Sequence, residues 1–122
     1  MPGTLTPTSQ PGQAAAESSP VLAVVTVTAK PTQEARVLGE LIAVTRRWAR
    51  EAGCWHATAW RDAADETRFL ILEGFVSNDA FQAHLATPST SEFASAVRQY
   101  LAAPPARTIW HPAHPPTEAQ PR

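Results

Sequence analysis

The residues from Val21 to Ala29 (VLAVVTVTA) are almost continuously apolar and rich in β-branched side chains, a pattern that suits a strand covered on both faces. Lys30 and Pro31 end it. Leu38, Leu41, Ile42, Thr45, Trp48, Ala49 and Ala52 then recur at helical spacing. They predict a long amphipathic helix with Thr32 as its cap, Glu34 in its first turn and Gly53 just past its end. Cys54 to Arg61 and Thr67 to Val76 are strand-like runs on either side of the polar stretch Asp62 to Glu66, and pair as a hairpin. Ser77 is placed to cap a short helix carrying Phe81 and Leu85. Thr87 and Pro88 break that helix, and Ser89 with Glu92 has the capping-box spacing that opens another, running through Phe93, Val97, Tyr100 and Leu101. After Pro104 and Pro105, Arg107 to His111 forms the last strand.

The order is β-α-β-β-α-α-β. It predicts an α+β, ferredoxin-like fold in which a four-stranded antiparallel sheet carries its helices on one face. The third strand is apolar on both faces, with Leu70, Leu72 and Val76 on one and Phe69, Ile71 and Phe75 on the other. Helices cover only one of these. Leaving the other in water forgoes roughly 1.5–3 kcal/mol per large aliphatic side chain, so a second copy of the chain is expected there, related by a twofold axis.

Composition narrows the partners. Ten basic residues nearly balance eleven acidic ones, so no strong field points to nucleic acid or an anionic membrane, and a small neutral molecule fits better. Cys54 is the only cysteine, which excludes an intrachain disulfide. No secretory signal or membrane-spanning run is evident, and the expected location is the cytoplasm. Residues 1–20 and 112–122, dominated by Pro, Ser, Thr, Gln and Ala, read as disordered tails around a domain spanning 21–111.

Three segments carry a family resemblance: the strand ending in Ala29-Lys30-Pro31; Glu51-Ala52-Gly53-Cys54 leading into the hairpin; and Phe69-Leu70-Ile71-Leu72-Glu73-Gly74-Phe75 followed by Ala83-His84-Leu85-Ala86-Thr87-Pro88. In order and spacing, Val24 to His111 resembles the antibiotic biosynthesis monooxygenase family of dimeric α+β barrel proteins. The resemblance implies a homodimer whose sheets form a central barrel, with a ligand cavity between sheet and helices in each subunit. It leaves the reaction open, since members include oxygenases that need neither metal nor flavin, haem degraders, cyclases and dehydratases. Phe75 stands where haem degraders and some polyketide oxygenases have Trp, and the region around Val24 is apolar where haem degraders place Asn. Both departures argue against haem degradation.

The candidate catalytic residues are His56, Glu73 and His84. If Arg61 lies opposite Arg68, His56 and Glu73 are cross-strand neighbours, and a histidine held by a carboxylate is a credible general base. The alternative is a structural Glu73 and a solvent-facing His56. His84 shares a helical stripe with Ala80, Phe81 and Leu85, and the resemblance implies a histidine there; a satisfied core histidine is the competing reading. Trp48, Trp60, Phe69, Phe75, Phe81, Phe93 and Tyr100 are candidate linings for a flat aromatic substrate, although each ring also suits a core. No ligand spacing suggests a metal, and no glycine-rich loop suggests a nucleotide, so no cofactor is expected. The leading expectation is a cofactor-independent monooxygenase acting on an aromatic polyketide, phenol or hydroquinone. A redox-neutral cyclase, dehydratase or isomerase and a non-catalytic binding module are the alternatives.

Overall fold

The computed structural model describes residues 19–114. The tails expected over 1–20 and 112–122 lie outside the described residues except at 19, 20 and 112–114. In chain order the elements are β1 (Val21–Thr28), α1 (Glu34–Trp48), β2 (Cys54–Arg61), β3 (Arg68–Phe75), α2 (Asn78–Leu85), α3 (Pro88–Val97), a 3-10 turn (Arg98–Tyr100) and β4 (Ala106–Trp110). The four strands form one antiparallel sheet in the order β2-β3-β1-β4, the ferredoxin-like α+β arrangement expected from the sequence.

Strand alternation decides which side chains meet the helices. In β1, Val21, Ala23, Val25 and Val27 are buried while the intervening residues are only partly so. Covering on both faces is therefore not achieved within one chain, because the helices occupy a single face of the sheet. In β3, Phe69, Ile71, Glu73 and Phe75 are buried on the helix side. Above them α1 presents Val37, Leu41, Val44 and Trp48, one stripe at helical spacing. Ile42 lies about 100° round the helix from Leu41 and is exposed, so the stripe is rotated away from the one expected to include it.

The helix ends also differ from expectation. At α1 the N-cap is Gln33, with no side-chain cap bond. Thr32 instead takes a left-handed conformation (φ 71°) and donates its backbone N–H to Glu34 Oε2 at 3.2 Å. The helix stops at Trp48, and Gly53 (φ 82°) forms the turn into β2, where a Cβ would come within 2.6 Å of Ala80 Cβ. Ser77 does cap α2, accepting from Ala80 N at 3.2 Å. The capping box at Ser89 does not form. Helix α3 begins two residues earlier than a cap at Ser89 would set it, with Thr87 as N-cap and Pro88 in the first turn, where the missing N–H of proline is no loss. Ser89 is buried within the helix, and Glu92 pairs with Arg47 of α1 at 3.3 Å. The helix gives way to the 3-10 turn after Val97, and Leu101 bridges to Ala29.

The hairpin register is offset by one residue from the expected one. Arg61 lies opposite Phe69 rather than Arg68, so Ala57 faces Glu73 and His56 faces Gly74, with an irregularity between Cys54 and His56. Thr67 belongs to the turn, not the strand: its N–H and hydroxyl both bond Asp65 Oδ1, at 3.0 and 2.7 Å. A one-residue slip moves every side chain of a strand to the other face, and the expected His56–Glu73 pair is lost for this reason.

Candidate active site

Glu73 projects from β3 to the helix side of the sheet and is 4% exposed. A carboxylate there is costly to bury unless paired. Its partner comes from α2: His84, 2% exposed, places Nε2 3.1 Å from Glu73 Oε1. The other ring nitrogen, Nδ1, lies 2.8 Å from Oε1 of Glu51, in the turn between α1 and β2. The imidazole is thus held between two carboxylates. The hydroxyls of Thr87 and Thr90 both donate to the His84 carbonyl, at 2.8 and 2.9 Å, and fix the end of α2.

Aromatic rings enclose the imidazole. Trp48 meets it edge-on, with centroids 4.9 Å apart and planes at 86°. Phe75 lies 4.8 Å away, and Phe81 stacks at 6.4 Å. Burial by itself draws the His84 pKa down, but the hydrogen bonds to Glu73 and Glu51, together with their charges, outweigh it and raise the pKa above the ordinary histidine value. The shift favours protonation relative to a free histidine, and in the protonated ring both N–H groups donate to carboxylates.

Glu73 and His84 open on a cavity of about 500 Å³ between the sheet and α3, within the usual range for a small-molecule site. Val25, Ile71, Phe93, Val97 and Leu101 supply apolar wall, and Trp48 lies beside His84. Arg98 and Arg107 also line it, neither ion-paired among the described residues. Arg107 pairs with Val25 of β1, which sets its strand two spacings or roughly 10 Å from β3.

Of the aromatic residues expected to bind substrate, Trp48 and Phe93 line this cavity. Phe75 and Phe81 lie behind His84 in a separate buried cluster with Val21 and Ala23. Phe69 is in the main core. Tyr100 packs beneath Arg36, and Trp60 is more than half exposed. His56 shares the open sheet face with Trp60; its Nε2 lies 2.8 Å from Thr58 Oγ1. The structure thus brings together Glu73, His84, Trp48 and Phe93, and leaves His56 on the opposite side of the sheet. Glu51, Arg98 and Arg107 were not anticipated. Glu51 meets His84 across 33 residues of chain, a contact that no local pattern encodes.

Cys54 is partly buried, its thiol pKa raised mainly by burial, against a lowering hydrogen bond to the His56 carbonyl. It is a packing residue rather than a ready nucleophile. Among the described residues no group of three or more His, Cys, Asp or Glu is arranged to hold a metal ion, and no helix is long and apolar enough to cross a membrane.

The family model described as "Antibiotic biosynthesis monooxygenase" matches residues 20–98. No curated protein matches the chain in sequence. Among solved structures, Rv0793 from Mycobacterium tuberculosis is similar with a TM-score of 0.74 at 21% identity, over 81% of this chain and 100% of that one. PA3566 from Pseudomonas aeruginosa gives 0.73 at 22% identity, over 80% and 98%. SnoaB, a cofactor-independent oxygenase from Streptomyces nogalater solved as a point mutant, gives 0.70 at 18% identity, over 80% and 96%. Identities this low speak for the fold alone.

Proposed function

The chain belongs to the antibiotic biosynthesis monooxygenase family, and from that premise we propose that it is a cofactor-independent monooxygenase for an aromatic polyketide, phenol, anthrone or hydroquinone. The observation that carries the reading is the buried Glu73 carboxylate, opening on a mostly apolar cavity and held by His84. With both ring nitrogens engaged by carboxylates, His84 has no lone pair free to face a substrate. Glu73 is then the general base and His84 the group that holds its carboxylate in place. Glu51, with its side chain 19% exposed, gives the buried pair a route for protons to solvent.

With anthrone as the example, Glu73 removes a proton from the methylene carbon, leaving a delocalised anion. That anion passes one electron to dioxygen, and the resulting radical pair forms a carbon–oxygen bond. Protonation gives a hydroperoxide, which loses water to leave the quinone. One anthrone and one dioxygen yield one anthraquinone and one water, with dioxygen as the oxidant. The apolar walls keep water from the intermediates.

The open face of the sheet supports a homodimer as the working form. Leu22, Leu70 and Leu72 are only partly buried there, and Trp60 and Trp110 are more than half exposed. A second copy would cover this face. Phe75, buried behind His84 where some polyketide oxygenases carry Trp, favours a second reading, a redox-neutral cyclisation, dehydration or isomerisation on the same base. Oxygen consumption separates the two. Metal-free, flavin-free protein given anthrone is expected to consume oxygen faster than the spontaneous reaction, and Glu73→Gln to lose roughly 10²-fold or more of that rate. Activity that needs added flavin or iron, or turnover under strict anaerobiosis, overturns the oxygenase reading.

A further inference from the structure

Among the described residues, one buried side-chain polar atom lacks a hydrogen-bond partner: Nε1 of Trp48. Buried donors are almost always satisfied, and an exception calls for a cause. The indoles of Trp60 and Trp110, both exposed, donate to Thr58 and Thr108 at 2.8 and 2.9 Å. The unpaired donor therefore belongs to a tryptophan that is 3% exposed and lines the cavity beside the Glu73–His84 pair. A phenylalanine or leucine at this helix end would bury apolar surface without stranding an N–H group.

We propose that Trp48 is a substrate-binding residue whose indole N–H donates to an acceptor oxygen of the ligand, a carbonyl that becomes an enolate or phenolate as Glu73 takes the proton. The inference rests on the reading of this cavity as the substrate site. Glu73 offers acceptor lone pairs and Trp48 a donor, so together they fit a molecule with an acidic hydrogen conjugated to a carbonyl. Deprotonation moves negative charge onto the oxygen, and a fixed donor in an apolar cavity strengthens its bond as that charge develops. The indole would then favour the anion over the neutral ligand.

Anthrone and 9,10-dihydroanthracene share a ring skeleton and differ by the carbonyl oxygen, which makes them the probes. Under anaerobic conditions the indole N–H resonances of the four tryptophans are followed by nitrogen–proton correlation spectroscopy. The Trp48 signal is identified by its loss in Trp48→Phe. It is expected to move downfield with anthrone and not with dihydroanthracene. Replacing the indole at position 48 by the isosteric sulfur ring of benzothienylalanine, which keeps the shape, is expected to weaken anthrone binding about tenfold while leaving dihydroanthracene binding unchanged. Equal displacement by both ligands, no displacement by either, or wild-type anthrone affinity in the sulfur variant overturns the proposal. A carbonyl-dependent shift without oxygen uptake overturns the oxygenase reading and leaves the anchor standing. Unchanged oxygen uptake and anthrone affinity in the sulfur variant do the reverse.

Discussion

Taking a carboxylate and an imidazolium out of water costs several kcal/mol per ion, which close contacts in the interior must offset. Glu73 and His84 meet that demand only because Glu51 occupies the second ring nitrogen. The folded-state pKa of His84 lies above its ordinary value of 6.5, against the pull of burial, through the two carboxylates. Its contribution to stability is therefore fully present below the unfolded value and is lost as pH rises through the folded-state pKa. The Cys54 thiol has its own raised pKa, but that acts only as pH approaches and passes the ordinary thiol value of 9.0. Between these values, urea-unfolding free energies of the wild type are expected to fall with rising pH. In His84→Gln that part of the slope should disappear. A wild-type profile that is flat or rising, or a variant that keeps the full slope, would contradict the arrangement. Glu73 was legible in the sequence as a polar residue inside an apolar strand. His84 was legible too, as a histidine on the apolar stripe of α2, but its pairing with Glu73 was not, because a contact between a strand and a later helix leaves no local pattern.

Elements were read well where local chemistry fixes them and poorly where a single residue shifts a register. Alternation set the faces of β3, and Ser77 set the start of α2. The β2–β3 hairpin was misaligned because Thr67, β-branched and strand-like by composition, is drawn into the turn by two bonds to Asp65. That slip alone moved His56 from the presumed site to the open face. The capping-box pattern at Ser89 lost to Pro88, whose fixed φ is pre-organised for the first helical turn. The open face of β3 yields its own prediction. Leu72 sits at its middle, opposite Val24 on β1 and Thr58 on β2, and Leu72→Asp places a charge where a second copy is proposed to pack. Light scattering is expected to give a dimer for the wild type. In the variant, dimer and fold are expected to be lost together, at a cost of several kcal/mol for an unpaired buried charge. A stable wild-type monomer at micromolar concentration would contradict the assembly.

At the scale of the whole molecule, sheet and helices line a cavity that takes in Glu73 and His84 as well as Arg98 and Arg107. The architecture was legible from element order and from the family resemblance. The cavity was less so, since it depends on which rings pack behind His84 and which face open space. Trp48 and Phe93 line it; Phe75 and Phe81 support the histidine instead. The fold alone does not select a reaction, and the oxygenase account depends on dioxygen supplying the new oxygen atom. The most direct test is turnover of anthrone by metal-free, flavin-free protein under labelled dioxygen (¹⁸O₂), followed by mass spectrometry of the quinone. One labelled oxygen atom per quinone, formed faster than in the protein-free control, is the predicted result; a protein-dependent product without label, or a rate no faster than the control, would contradict it.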